Sequence, residues 1–254
     1  MRFGAAAGLA ALVCAALAST ACGNGGLFRQ YEYEEDIYLS LDGSATVYVN
    51  SSLAALNALH GAAFDTAPTA RFDPDQVRAF FATPVTHVAS VSSSRRSNRR
   101  FAHVRVEARD VRRLSEAAPF AWSSYRFAPE HGILAYRQVL GAAAGEATQR
   151  ATAGVNAVNW TGDEIVAFRL HLPSNVVGHN AGEANHKRGN ILVWEQTLAD
   201  RLRGRPLVLD AQMETESILV NTLWLFGVTF LAVAVTFGSV VWWIMRRGAK
   251  PART

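Results

Sequence analysis

Cysteine is scarce in this chain: only Cys14 and Cys22 occur among its 254 residues. Cys14 falls within residues 1–21, which have the composition of a secretion signal, so Cys22 is the one cysteine that we expect in the mature protein. A single cysteine excludes an intramolecular disulfide, even on the oxidising side of a membrane. We therefore expect the fold to be held together by its hydrophobic core.

Charge is absent from Ser217 to Met245, a run bounded by Glu216 and Arg246. A helix of about 20 apolar residues already crosses the hydrocarbon layer, and a helix satisfies all of its backbone hydrogen bonds there. The alternative is a buried core helix, but such helices seldom run past about 14 apolar residues. The sequence therefore predicts a transmembrane helix over residues 217–245.

The two ends of that run predict its orientation. Trp242 and Trp243 lie next to a basic stretch, and an aromatic pair followed by cations is typical of the cytoplasmic interface. We expect residues 246–254 to form a basic cytoplasmic tail. Residues 31–216 would then form a domain on the outer side of a bacterial inner membrane.

The N-terminus indicates a second anchor. Arg2 precedes an apolar stretch, and Ser19-Thr20-Ala21 leads into Cys22. Small residues before a cysteine are typical of a lipoprotein signal, so residues 1–21 are predicted to be removed and Cys22 to be lipidated. An uncleaved signal anchor, or cleavage elsewhere, is the alternative. Residues 22–30 would form a flexible tether.

An excess of basic charge is missing from the predicted domain. Of the 25 Lys and Arg residues, five lie in the signal or the tail, whereas none of the 21 Asp and Glu residues does. The remaining charges nearly balance, which argues against a nucleic-acid partner.

Alternating apolar and polar residues predict an antiparallel α+β fold built from hairpins. A strand over 31–41 and a second strand from Ala45 flank Asp42-Gly43, a pair that favours a two-residue turn. Further hairpins are predicted from Val85 to Val106 and from Trp122 to Leu140.

Capping residues predict four short helices between the strands. These begin after Ser51 or Ser52, Asp73, Asp110 and Thr197. No βαβ rhythm occurs, and the Gly- and Ala-rich residues 141–156 are the expected boundary between subdomains. A polar loop is expected over residues 178–190.

Fingerprints of common catalytic and nucleotide-binding sites are missing. The chain contains no G-x-S-x-G, P-loop or G-x-G-x-x-G sequence. His179, Glu183 and His186 share a polar loop, but their spacing matches no standard metal motif, so a solvated loop is the better interpretation. We expect no catalytic residue, no metal and no cofactor.

An arginine-rich hairpin tip is the most suggestive polar feature. Residues 92–100 form a polar stretch with Arg95, Arg96, Arg99 and Arg100, which are possible contacts for lipid head groups because guanidinium binds phosphate in a bidentate manner. The alternative is a solvated tip that prevents edge aggregation. Glu34-Glu35-Asp36 is expected to be solvated or to pair with this tip, rather than to perform acid–base chemistry.

Several short segments together resemble the LppM-like bacterial lipoproteins. They are Cys22, the hairpin Tyr33–Val49 with its Asp42-Gly43 turn, Phe168–Ser174 followed by Val176 and Asn180, Asn190–Trp194, and the terminal apolar helix with its basic end. A polar insertion from Gly182 to Gly189 separates two of these segments. The resemblance implies an envelope-facing α+β domain with lipid among its expected contacts, and it brings no catalytic residue.

Together these features predict a membrane-anchored, non-enzymatic lipoprotein that binds an envelope component, with a lipid-like ligand as the leading hypothesis. Six aromatic residues are available to line a cleft, although filling the core is the more ordinary role: Tyr33, Phe80, Phe81, Trp122, Tyr125 and Phe127. The alternative is a protein-interaction subunit of a membrane complex, with four groups on the apolar helix available for helix packing: Asn221, Thr222, Gly227 and Thr229.

Overall fold

The computed structural model describes residues 29–67, 69–141, 160–182 and 189–248. Ten strands and four α-helices lie within these ranges, with two 3₁₀ helices at Val111–Glu116 and Ala118–Phe120. The strands are β1 (Tyr31–Leu39), β2 (Ala45–Ser52), β3 (Thr86–Arg96), β4 (Arg99–Ala108), β5 (Ser123–Glu130), β6 (Ile133–Leu140), β7 (Ile165–His171), β8 (Ser174–His179), β9 (Ile191–Thr197) and β10 (Leu207–Ser217). The helices are α1 (Leu53–His60), α2 (Pro74–Phe81), α3 (Leu198–Leu202) and α4 (Ile218–Gly248).

The strands form two sheets, which confirms the α+β class. The larger sheet has the order β3-β4-β2-β1-β7-β9, and the smaller has the order β5-β6-β10-β8. Nearly all neighbours are antiparallel, as predicted, but β1 and β7 run parallel. Patterns of hairpins between consecutive strands do not predict this pair, because β7 comes from a distant part of the chain. Both sheets contain strands from each side of the expected boundary at 141–156, most of which lies outside the described residues.

The helix caps follow the sequence. Ser52 accepts a hydrogen bond from Ala55 N, Asp73 from Asp75 N, and Thr197 from Asp200 N. Gly61 ends α1 in the left-handed conformation that a glycine adopts without strain. The helix predicted after Asp110 is a 3₁₀ helix, with Asp110 as its cap.

The connection after β1 corrects the predicted two-residue turn. Gly43 N donates to Ser40 O, so Leu41 and Asp42 occupy a turn and only Gly43 has a positive φ, 86°. A side chain on Gly43 would also approach the Phe127 ring to 3.3 Å. The longer loop lets β1 and β2 pair from Leu39 and Ala45 while Gly43 packs against the second sheet.

The predicted hairpin tip at 92–100 and the predicted polar loop at 178–190 both begin later than expected, because the strands before them are longer. The polar stretch 92–100 is not a long loop: β3 and β4 pair as far as Arg96 and Arg99. The turn between them consists of Ser97 and Asn98, both with positive φ, as in a type I′ hairpin. Likewise, the expected polar loop begins later than predicted, because β8 pairs with β10.

Candidate functional site

A buried polar cluster joins the two sheets. Strand alternation places Glu35 on the same inner face as Tyr33 and Ile37, and its side chain faces the smaller sheet. The Tyr33 hydroxyl donates to Glu35 Oε2 at 2.8 Å, and Gln138 Nε2 donates to Glu35 Oε1 at 3.1 Å. The Tyr136 hydroxyl donates to Gln138 Oε1 at 2.9 Å. Gln138 Nε2 also lies within hydrogen-bond distance of the Ser123 and Tyr125 hydroxyl oxygens, at 3.2 and 3.4 Å. We call this group the inter-sheet cluster; its members are Tyr33, Glu35, Ser123, Tyr125, Tyr136 and Gln138.

Burial sets the protonation chemistry of the inter-sheet cluster. It raises the pKa of Glu35 to about 7, against the opposing effect of the hydrogen bonds from Tyr33 and Gln138. Burial and the neighbouring Glu35 charge raise the pKa values of Tyr33, Tyr125 and Tyr136 well above 10.0. Glu35 and Gln138 are 1% and 0% exposed. The cluster can therefore bind a proton near neutral pH, but its side chains are closed to solvent.

The acidic stretch on β1 divides between two faces, and its partner differs from the one predicted. Arg169 of β7 donates to Glu34 Oε1 at 2.7 Å and to Asp36 Oδ1 at 3.0 Å. Of the two alternatives expected for this stretch, a solvated face or a pair with the arginine-rich tip, the pair with the tip is therefore wrong for Glu34 and Asp36. β7 lies directly beside β1, which brings Arg169 opposite Asp36.

The tip arginines have two kinds of surroundings. Arg99 and Arg100 are partly buried: Arg99 pairs with the buried Glu32 at 3.1 Å, and Arg100 donates to Ala70 O at 3.0 Å. Arg95 and Arg96 are exposed. Arg96 lies 4.4 Å over the Phe101 ring. Contact between these arginines and lipid head groups stays a prediction.

An aromatic group occupies the outer face of the larger sheet, at the end away from that tip. The Tyr38 ring stacks on His171 with centroids 3.8 Å apart, and Tyr48 meets Tyr38 edge-on at 5.4 Å. Tyr38 is 44% exposed and Tyr48 is 36% exposed. We call Tyr38, Tyr48 and His171 the outer aromatic group.

The two ends of the larger sheet differ in their distance from α4. Arg96 donates to Tyr31 O, so the tip lies at the start of β1. Tyr38, seven residues later, pairs with His171 at the other end, about 23 Å away for an extended strand. Ser174 follows closely and donates to the backbone of Glu216, just before α4. The outer aromatic group is therefore at the α4 end of the sheet, and the tip is at the opposite end.

Arg201 is a buried charge that the sequence interpretation missed. Its side chain is fully buried, donates to Gly141 O, and lies 5.6 Å over the Trp122 ring. Burial lowers the pKa of this guanidinium. Its position in a short helix does not predict burial. Only tertiary contacts distinguish Arg201 from Arg203, which lies two residues later and is exposed.

The remaining predicted site residues lie in the core, on the surface or outside the described residues. Cys22 and most of the tether lie outside the described residues, as do Glu183 and His186, while His179 is exposed on β8. Within the ranges that the structure describes, no three His, Cys, Asp or Glu side chains are placed to hold a metal ion. Of the six cleft candidates, five are buried in the core and Phe80 packs against it, so they fill the core rather than line a cleft.

α4 contains one stretch, Thr222–Arg247, that is long and apolar enough to cross a membrane. Its 26 residues span about 39 Å at 1.5 Å per residue. Near the C-terminal end, Arg246 lies 4.4 Å over the Trp242 ring and Arg247 lies 3.9 Å over Trp243.

No protein-family model matches the chain, and no curated protein matches it either. The solved structures include one that is similar, the folded domain of LppM from Mycobacterium tuberculosis, determined by NMR. The two are 14% identical with a TM-score of 0.39, and the similarity covers 76% of this chain and 95% of that chain.

Proposed function

We propose that this protein is a non-enzymatic, membrane-anchored domain that binds an anionic, lipid-like envelope component through its arginine-rich tip. In this proposal α4 spans the bacterial inner membrane and the two sheets lie on its outer side. The supporting observation is the position of the tip, because two exposed arginines extend on a paired hairpin away from α4. Such a tip faces outward, towards ligands beyond the membrane that holds the helix.

The tip has the chemistry for phosphate or a similar anion. Arg99 and Arg100 attach the hairpin to the body of the domain through Glu32 and Ala70. Arg95 and Arg96 are the exposed members, and a guanidinium matches the geometry of phosphate oxygens. The paired strands fix the backbone at both residues, so ligand binding has to order only their side chains.

Replacing Arg95 and Arg96 with alanine is expected to weaken binding to anionic vesicles by roughly 30-fold, since each arginine near such a surface contributes about 1 kcal/mol. The full chain would be placed in nanodiscs of phosphatidylcholine and mixed with phosphatidylglycerol vesicles. Flotation measures the bound fraction. Added salt should weaken the binding of the unmodified protein.

A matched control removes the same charge elsewhere. Arg112 and Arg113 are exposed and pair with Asp110 and Glu116. Their double alanine variant should bind phosphatidylglycerol nearly as well as the unmodified chain. Equal losses in the two double variants, or no loss at the tip, would contradict the proposed site.

A second candidate function is a subunit of a membrane complex, and a groove on α4 favours it. Leu223, Trp224, Val228 and Leu231 surround Gly227 and leave a shallow apolar depression. Small residues at such positions let a second helix approach closely.

Gly227→Leu is expected to prevent a partner helix from packing against α4 without destabilising the isolated chain. A side chain at this position would meet no atom within 4 Å. Native mass spectrometry of complexes extracted from membranes would show the loss, and Ala232→Leu on another face of α4 is the control. A partner retained in both variants would contradict this second function.

A further inference from the structure

We propose that the outer aromatic group docks on the surface of the lipid bilayer that α4 enters. This inference rests on the proposed membrane placement of α4 and does not depend on the tip as a ligand site. The occupant is the interfacial layer of that bilayer, where head groups meet acyl chains. Contact there would fix the tilt of the domain above its anchor.

The covalent path keeps the outer aromatic group close to the anchor. His171 precedes Ser174 by three residues, a separation of at most about 11 Å. Ser174 pairs with Ser217, the last residue before α4, and paired strands bring Cα atoms to about 5 Å. The His171 Cα atom therefore lies within about 16 Å of the Ser217 Cα atom, and the Tyr38 ring stacks directly on His171.

The exposed apolar side chains have an uneven distribution. Apart from those on α4, the large exposed hydrophobic residues in the described part of the chain are Tyr38, Tyr48 and Val177. Val177 lies on β8, three residues after Ser174. All three are therefore on segments that approach the α4 end of the domain, where a bilayer would cover them.

The chemistry of this surface suits a membrane interface. Tyrosine combines an apolar ring with a polar hydroxyl and is enriched where lipid meets water. Arg169 pairs with both Glu34 and Asp36. Arg105, which lies 5.9 Å over the Tyr48 ring, pairs with Glu107. The surface thus presents aromatic rings whose charged neighbours are paired with one another, so the tyrosine rings make the contact with the interfacial layer.

Photo-cross-linking of the full chain in nanodiscs tests the contact. The probe is p-benzoylphenylalanine, which replaces Tyr38, an exposed aromatic residue, in nanodiscs of phosphatidylcholine, which offer the arginine-rich tip no anionic lipid to bind. Irradiation followed by mass spectrometry of the peptides should detect lipid adducts at position 38. The matched control carries the same probe at Ser93, which is exposed near the tip.

We expect several-fold more lipid adduct at position 38 than at position 93. Equal adducts, more adduct at position 93, or none at either position would overturn the proposal. If there are no adducts at either position but the protein stays in the nanodiscs, then α4 is inserted and the domain does not contact the bilayer. Circular dichroism identical to that of the unmodified chain is required of both variants, so that unfolding does not produce the contact.

Discussion

Replacing Glu35 with glutamine is expected to stabilise the domain by about 3 kcal/mol above pH 7 and to change little below pH 4.5. The folded-state pKa is raised from 4.5 to about 7, chiefly by burial. Each pKa unit corresponds to about 1.4 kcal/mol. The folded state holds the proton more tightly, so this stability is fully present below pH 4.5 and is lost as the pH rises to about 7. Glutamine carries no charge: its amide oxygen can accept from Gln138 Nε2, while its NH₂ group can donate to the Tyr33 oxygen, so the second hydrogen bond reverses direction.

His60 should mask much of this pH dependence in the unmodified protein. Its ring packs 4.4 Å from Trp122, and burial lowers its pKa from 6.5 to about 3. The folded state resists protonation of this imidazole, so its contribution is present above pH 6.5 and is lost as the pH falls towards 3. Between pH 4.5 and 6.5 the two buried groups act in opposite directions. The stability of the unmodified protein should therefore change little in that interval.

The Glu35→Gln variant should remove this compensation and become more stable as the pH rises from 4.5 to 6.5. Urea unfolding of the detergent-solubilised chain, followed by β-sheet circular dichroism at a series of pH values, measures the effect. Glu107→Gln is the control, because that carboxylate lies on an exposed strand position and pairs with Arg105. Parallel curves for the Glu35→Gln variant and the unmodified protein would mean that Glu35 titrates normally.

Replacing Gln138 with leucine is expected to destabilise the domain by about 3 kcal/mol. Its amide donates to Glu35 across the sheets and accepts from Tyr136, so leucine leaves buried polar groups in both sheets without a partner. Each unsatisfied buried group costs about 1–3 kcal/mol. Apolar burial by leucine offsets only part of this loss.

The same urea titration, at a pH where Glu35 is protonated, measures the loss. Gln212→Leu is the control, because Gln212 is an exposed glutamine on the adjacent strand β10. Its effect should stay within about 0.5 kcal/mol. A loss no larger than that of the control would mean that the inter-sheet cluster contributes nothing to the association of the sheets.

Local patterns account for the parts of the fold that were predicted correctly. Alternation along β1 and β2 predicted a hairpin, and Ser52, Asp73 and Thr197 predicted helix starts, because each signal lies within a few residues of chain. Turn details were less predictable. The pairing of β3 with β4 as far as Arg96 depends on cross-strand hydrogen bonds that polar residues support as well as apolar ones.

The candidate site was harder to predict from the sequence than the fold. Glu34, Glu35 and Asp36 look alike in a row of acidic residues, yet strand alternation turns only Glu35 inward. Its partner Gln138 comes from another sheet and is 103 residues away. No pattern of neighbouring residues predicts a contact between side chains that lie so far apart in the chain.

By itself, the sequence determined the α+β class and the presence of an apolar helix long enough to cross a membrane, since strand alternation and helix length are properties of consecutive residues. Tertiary structure alone decided three things. It placed the arginine-rich tip and the outer aromatic group at opposite ends of one sheet, inserted β7 parallel to β1, and enclosed Glu35 between two sheets. The physical reason is that burial and strand neighbours arise from contacts between distant segments, and these contacts change the charge, exposure and reach of side chains that are equivalent in the linear sequence.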